Sequence, residues 1–273
     1  MTDLATRPSR VTPDAGRVNR WGWWYFAEYQ IRGFRAFAGT IVATALGNPV
    51  LYLAAMGIGL GGMITQQVGG VDYLTFVAPA LLVSTVVTTA SGLGMWPIMS
   101  GFKWEKYYFS AGATPLTPGQ IVDGQTVAVG ARLLAQGLVF WLVGLAFGAF
   151  PDAWSWLVVP IATLAGLAFF APLMAYSATL EDEGLQFNIV GRFIVMPMFL
   201  FAGTFFPLES MPSYLRWIGW ISPIWHGTEL SRAVSFGQDL SIARIGLHSG
   251  FLVTLLVGGL ALSHRNFAKR LIS

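Results

Sequence analysis

The sequence predicts an all-α polytopic membrane protein: six transmembrane helices, an N-terminal helix lying in the membrane interface, and re-entrant helices between spans five and six. Three observations predict it. Of 273 residues, 55% are hydrophobic and only 11% charged, whereas a soluble domain carries about a quarter charged residues. Six apolar stretches, at 38–62, 73–99, 127–150, 155–180, 188–206 and 242–263, meet the requirement of about 20 residues per span. The basic residues supply the third. With both termini cytoplasmic, thirteen of the 16 Lys and Arg fall in inner segments, and only Arg216, Arg232 and Arg244 fall in outer ones. That is the inside-positive bias of a cytoplasmic-membrane protein, and adding or removing one span destroys it.

The first twenty residues are polar, with Arg7, Arg10, Arg17 and Arg20 and no apolar core of a signal peptide. They are expected to be a disordered cytoplasmic tail. Residues 21–37 follow, with Glu28, Arg32 and Arg35 at helical spacing among Trp21, Trp23, Trp24, Tyr25 and Tyr29. Aromatics on one side and charges on the other suit a helix in the inner interface. Span one contains Asn48-Pro49, a kink signal, and ends in a Gly-rich run from Gly57 to Gly62. That run matches GxGxxG, but a dinucleotide site needs a strand before the glycines and an amphipathic helix after them. Gly57 and Gly61 are read instead as helix-packing residues.

Span two brings the hydroxyls Thr85, Thr88, Thr89 and Ser91. Residues 101–126 then form the longest internal polar connection, with Lys103, Trp104, Glu105, Lys106, Pro115, Leu116 and Asp123. Its aromatic and apolar content argues against disorder, and a connection of this length tends to be functional. A short cytoplasmic helix with a docking surface is expected there. Span four ends in Glu181-Asp182-Glu183, close to Arg192. No ligand spacing accompanies these carboxylates, so no metal is expected. The run 188–206 exits into Pro207-Leu208-Glu209, then into Trp- and Pro-rich segments reaching His226, Glu229 and Arg232. Such an interrupted exit, over 207–232, predicts short helices that dip back into the outer half of the membrane.

Several chemistries have no representative. No P-loop, HExxH or GxSxG motif occurs. With no cysteine, disulfides and thiolate metal sites are excluded. The net charge of +3 is spread over inner span ends, and nucleic acid is not an expected partner. The three histidines are His226, His248 and His264. They are expected at different depths, which disfavours a two-histidine site. Buried carboxylates suited to proton coupling are missing as well. The energy for any transport must come from a partner.

The stretch 197–216, PMFLFAGTFFPLESMPSYLR, followed by Ser222-Pro223-Ile224-Trp225-His226, resembles the signature of type-2 ABC export permeases. Asn48-Pro49 and the Gly-rich run after it resemble their first span. The nearest sub-group in appearance is that of nodulation lipo-oligosaccharide exporters and daunorubicin-resistance permeases. The resemblance covers nearly the whole chain and implies a half-transporter that moves cargo outward. It implies two P-loop ATPase subunits carrying ATP and Mg, a second permease copy or paralogue, and no cofactor on this chain. On that analogy Lys103–Asp123 contains the coupling helix, and Glu181, Asp182 and Glu183 lie near the same contact.

A pathway lining is expected from Asn48, Thr85, Thr88, Thr89, Phe199, Phe201 and Phe205, and an outer gate from Pro207, Glu209 and His226. An uncharged lining suits an amphipathic or lipid-like cargo in contact with membrane lipid. Two alternatives stand beside this reading. One is a membrane-embedded lipid-modifying enzyme with His226 and Glu229 as an acid/base pair. The other is an accessory membrane subunit that transports nothing.

Overall fold

In hydrocarbon every backbone N–H and C=O must be bonded within its own segment, so a chain this apolar resolves into helices. The computed structural model describes residues 15–34, 38–60, 67–181 and 184–272, and among them no strand occurs. α1 is Ala15–Phe34 and α2 is Ala38–Ala54, continued by π-helical turns over Ala55–Leu60. α3 (Tyr73–Gly94) is followed by α4 (Trp96–Lys103), α5 (Tyr107–Gly112) and α6 (Pro118–Ala146). A 3-10 turn leads into α7 (Val158–Ser177). α8 (Gln186–Val190) and α9 (Met196–Phe201) are joined by π turns. α10 (Ser213–Trp220), α11 (Pro223–Phe236) and α12 (Ile242–Ile272) complete the chain.

Among the described residues, four stretches are long and apolar enough to cross a membrane: Tyr73–Lys103, Pro118–Ala146, Ala153–Ser177 and Ile242–Ile272. The other two expected spans are not among these four. The run expected at 38–62 is the helix Ala38–Leu60, and the run expected at 188–206 is a shorter apolar helix, Gln186–Phe201. The latter ends early because Ala202 leaves helical geometry and Gly203 adopts a φ of +78°, a left-handed turn that suits glycine.

Other boundaries differ from expectation for identifiable reasons. Residues 15–20 belong to α1 rather than to a disordered tail, and residues 1–14 lie outside the described residues. The helix expected from 127 begins at Pro118. Thr117 Oγ1 accepts the Gln120 N–H at 3.2 Å, and Gln120 Oε1 accepts the Thr117 N–H at 3.0 Å, a reciprocal capping box that fixes the start. Asp123 therefore lies on α6, and the connection expected over 101–126 is divided among α4, α5 and α6. Arg132, expected in an inner segment, sits at the middle of α6. The last helix runs past 263 to Ile272. Gly61, Asp182 and Glu183 lie outside the described residues.

α3 is the centre of the bundle: its most apolar window is 78% buried, against 17% for α12 at the periphery. α7 lies between them. Ser263, Asn266 and Arg270 of α12 donate in step to the carbonyls of Ala171, Ala175 and Ala178, at 3.0, 2.9 and 2.6 Å, so α12 and α7 run parallel. Gly259 permits their close approach, since a Cβ there would meet the backbone of Pro172. α6 runs antiparallel to α3, tied by Gln136 Nε2 donating to Thr89 Oγ1 at 3.0 Å. α1 lies against the first half of α6, where Gly124 meets the Trp23 carbonyl and the Gln30 and Gln125 side chains bond.

Candidate functional site

Polar and aromatic chemistry collects at opposite ends of the bundle. At the α4–α5 end, the termini of α3, α6, α7 and α12 converge. Ser177 Oγ donates to the Gly94 carbonyl at 2.7 Å, joining α7 to the end of α3. Pro97 opens α4 immediately afterwards, where it displaces no helical bond. The buried rings of Phe102, Tyr108 and Phe267 pack with centroids 4.6, 4.8 and 5.1 Å apart, within the range of favourable aromatic pairs. Arg270 lies over the Phe102 ring at 4.4 Å, and Phe26 of α1 stacks on Tyr108. Burial holds the Tyr108 phenol neutral, well above its ordinary range.

On this base sits an exposed rim. Trp104, Glu105 and Lys106 face solvent, as do Phe109 and Pro115, with Lys103 and Leu116 half-buried. Ser100 Oγ donates to Glu105 Oε1 at 2.6 Å, and Trp104 stacks against Trp96. Lys106 takes a φ of +55°, which turns the chain sharply into α5. The rim can dock a partner through one large ring and adjacent charges of both signs. Asp123 faces elsewhere: its Oδ1 lies 2.8 Å from His264 Nε2 and ties α6 to α12. Glu181 is exposed at this end.

At the α10–α11 end the polar groups point inward. α11 starts deep and climbs outward. Gly227 packs on Val83, whereas Arg232 lies over Phe76 at 3.7 Å. Val83 is ten residues into α3, about 15 Å at 1.5 Å per residue. Arg232 is 1% exposed. It donates to the carbonyl of Gly203 at 2.8 Å and of Phe76 at 3.4 Å, and pairs with Glu229 at 3.5 Å. Gln238 also donates to Glu229, at 3.2 Å. Ser84 and Thr204 bond at 2.9 Å. One guanidinium and one hydroxyl pair thus join the end of α9 to α3 and α11.

The histidines require a correction. His226 and His248, expected at different depths, meet with their Nδ1 atoms 2.8 Å apart. His226 Nε2 lies 3.0 Å from the Trp220 carbonyl, so Nε2 carries the proton and donates. Nδ1 of His226 then accepts the N–H of His248. Trp225 meets both rings edge-on, and Phe251 stacks on His226 at 4.0 Å. The acid/base pairing of His226 with Glu229 is not formed, because each side chain is committed to other partners.

The expected pathway residues do not share one surface. Thr85 is buried and bonds the Leu82 carbonyl, Thr88 is exposed, and Thr89 faces α6. Phe199 packs on Phe205 at 5.6 Å and on Tyr52 of α2 at 6.3 Å, with Phe201 half-buried nearby on α9. Asn48 lies within α2, next to Pro49. Pro207 is half-buried, and Glu209 is exposed, its carbonyl accepting from Arg216 at 2.6 Å. Ser84 and Gln136 are absent from the sequence-based reading, and His248 and Arg232 have no site role in it. Of these only Arg232 carried a signal, its i,i+3 spacing from Glu229 on a helix.

A family model for the ABC-2 type transporter matches residues 23–236, from α1 to the end of α11. The chain belongs to the ABC-2 type transporter family. The matched stretch takes in the exposed rim and, at the opposite end, Ser84, Thr204, His226, Glu229 and Arg232, with His248 beyond it. Nodulation protein J of Rhizobium meliloti is 25% identical over 92% of this chain and 95% of its own length. The namesake from Rhizobium leguminosarum bv. viciae is 27% identical over 88% and 93%. The inner membrane transport permease YadH of Escherichia coli K12 is 23% identical over 64% and 69%. As an ABC-2 permease the chain is a multi-pass membrane component of a transporter, and the family implies an ATP-binding subunit beside it.

Proposed function

We propose that this chain is the membrane half of an ATP-driven exporter in the cytoplasmic membrane, moving an amphipathic or lipid-like cargo outward. It crosses the membrane six times, Ala38–Leu60 and Gln186–Phe201 adding to the four long helices, with both termini cytoplasmic. α1 lies along the inner interface with Trp21, Trp24 and Tyr29 exposed. α10 and α11 form the re-entrant pair on the outer side. A second copy or a paralogue completes the pathway. Two P-loop ATPases hold ATP and Mg, and this chain needs no cofactor.

The observation that carries the reading is the contrast between the two ends. One end displays Trp104, Glu105 and Lys106 on a rigid aromatic base, a shape suited to being pushed. The other is plugged by α11, whose first turns sit beside Val83 and are held there by buried bonds. Closure of two ATPases on the rim would tilt α3 and α12, which share its base, and release the plug as a hinge-type transition.

Co-purification with the ATPase and reconstitution into liposomes tests this. ATP added on the rim side should drive a fluorescent short-chain glycolipid to the opposite side, and Trp104→Ala with Lys106→Ala should abolish the flux and release the ATPase. Flux toward the rim side, or flux indifferent to the double variant, overturns the proposal. Because the chain has no cysteine, single cysteines introduced at Trp104 and Tyr214 report sidedness directly. Labelling of both from the same side would overturn the topology.

A further inference from the structure

A cation on an apolar membrane helix is costly unless something neutralises it. Arg132 is the fifteenth of the 29 residues of α6, and the ion pairs among the described residues are Glu28–Arg32, Glu229–Arg232 and Asp123–His264. None involves Arg132. Its guanidinium lies 5.2 Å from the Phe34 ring at the very end of α1, and the side chain is half-buried. Beyond the end of α1, Leu134, Ala135, Leu138 and Leu142 of α6 remain exposed, so Arg132 borders an outward-facing apolar strip.

The surroundings define a ligand with two halves. On the polar side, Gln136 stands one turn along α6 and is held by Thr89 of α3 at 3.0 Å. Gly92, three residues beyond Thr89, is exposed, and a Cβ there would meet nothing within 4 Å. On the apolar side, Ala135, Val139 and Leu142 continue from Arg132 at i+3, i+7 and i+10, Ala135 and Leu142 exposed and Val139 half-buried. A guanidinium matches a phosphate-type anion by charge and fork geometry, and the stripe beside it matches an acyl chain. We propose that the notch formed by Arg132, Gln136, Thr89 and Gly92 binds the anionic headgroup of a bilayer-resident amphiphile. The ligand supplies the counter-charge that none of the described residues provides. That chemistry is shared by an anionic phospholipid and by an anionic cargo, and the site does not depend on the export reading, because binding requires no ATP.

The test uses the full-length chain with its ATPase, in nanodiscs of phosphatidylcholine alone or with phosphatidylglycerol, and with dodecyl phosphate as a second probe. Native mass spectrometry counts retained lipid, and titration gives the affinity for dodecyl phosphate. The variants are Arg132→Gln, which removes the charge, Arg132→Lys, which keeps it without the fork, and Gly92→Leu, which fills the notch without touching the arginine. A charge-assisted bond corresponds to about tenfold in affinity, so Arg132→Gln should weaken anion binding about tenfold. Arg132→Lys should weaken it less, and Gly92→Leu should block it at unchanged melting temperature. Retention of phosphatidylglycerol by the unaltered chain identifies a resident lipid. Binding of dodecyl phosphate without retained phosphatidylglycerol identifies a cargo site. Equal binding of phosphatidylcholine, or anion binding unchanged in both Arg132→Gln and Gly92→Leu, overturns the proposal. Should Arg132→Gln not fold, Gly92→Leu alone decides it.

Discussion

The two ends of this bundle hold themselves together by opposite means. At the α4–α5 end the side chains that meet one another are packed rings, Phe102, Tyr108 and Phe267, with Ser177, Asn266 and Arg270 bonding to backbone carbonyls, while charged Glu105 and Lys106 are turned outward. At the α10–α11 end the arrangement is inverted. Arg232, His226 and His248 are buried and bonded across elements, while Trp217, Trp220 and Tyr214 face outward. Aromatic packing tolerates small slides and suits a lever that must transmit force. Buried polar bonds are made or lost as whole units, which suits a closure with two states. The comparison predicts that polar deletions will be severe at one end and mild at the other.

Arg232→Ala should have the largest effect. Removing one partner of a buried ion pair costs about 3–5 kcal/mol, and here the carbonyls of Gly203 and Phe76 lose a donor as well. A lowered melting temperature of the purified chain is expected. Arg232→Lys should recover only part of it, since an ammonium cannot serve Gly203, Phe76 and Glu229 in the same planar fork. A melting temperature equal to wild type in Arg232→Ala would remove the idea of a polar latch.

His248→Ala comes next. It leaves Nδ1 of buried His226 without its donor, and an unsatisfied buried group costs about 1–3 kcal/mol. The effect should also be local: cysteine accessibility introduced at Phe251, whose ring stacks on His226, should rise. If accessibility at that position stays unchanged while stability falls, the pair is a packing feature and the comparison loses one of its two supports.

At the opposite end Phe102→Leu should cost about 1 kcal/mol, the scale of the ring-ring contribution beyond simple burial. Tyr108→Phe should cost nothing measurable. Its hydroxyl is buried without a hydrogen-bond partner among the described residues, and removing such a group is neutral or mildly stabilising. A large loss in Tyr108→Phe, seen as a fall in melting temperature, would show that this end also depends on polar bonds.

The same division governs what could be read from the chain. Apolar run length made the long helices legible, because hydrocarbon admits few other structures. The α6 start was written in Thr117-Pro118-Gly119-Gln120, yet the polarity of the following residues suggested a loop. There the local capping geometry outweighs composition. The signature from Pro197 to His226 marked the family, but the pairing of His226 with His248 was invisible. It depends on α11 turning back beside α12, a tertiary event that no local pattern encodes. Arg132 misled for a related reason: a basic residue near a span end reads as interfacial until the helix start moves nine residues earlier.

The smallest effect on stability should come from Trp104→Ala. Trp104 is 55% exposed, and its neighbours Glu105 and Lys106 face solvent, so the fold gains little from it and the melting temperature should not move. Its consequence should appear in ATP turnover instead. An exposed large ring flanked by charge is the common form of an interface anchor, and losing it should uncouple the ATPase from the permease. ATPase activity would then no longer respond to an amphipathic cargo, while Phe102→Leu, which softens the base without altering the rim, should leave the response in place. Should Trp104→Ala lower the melting temperature as much as Phe102→Leu, the ring belongs to the base. The rim would then have to be redrawn around Lys106 and Phe109.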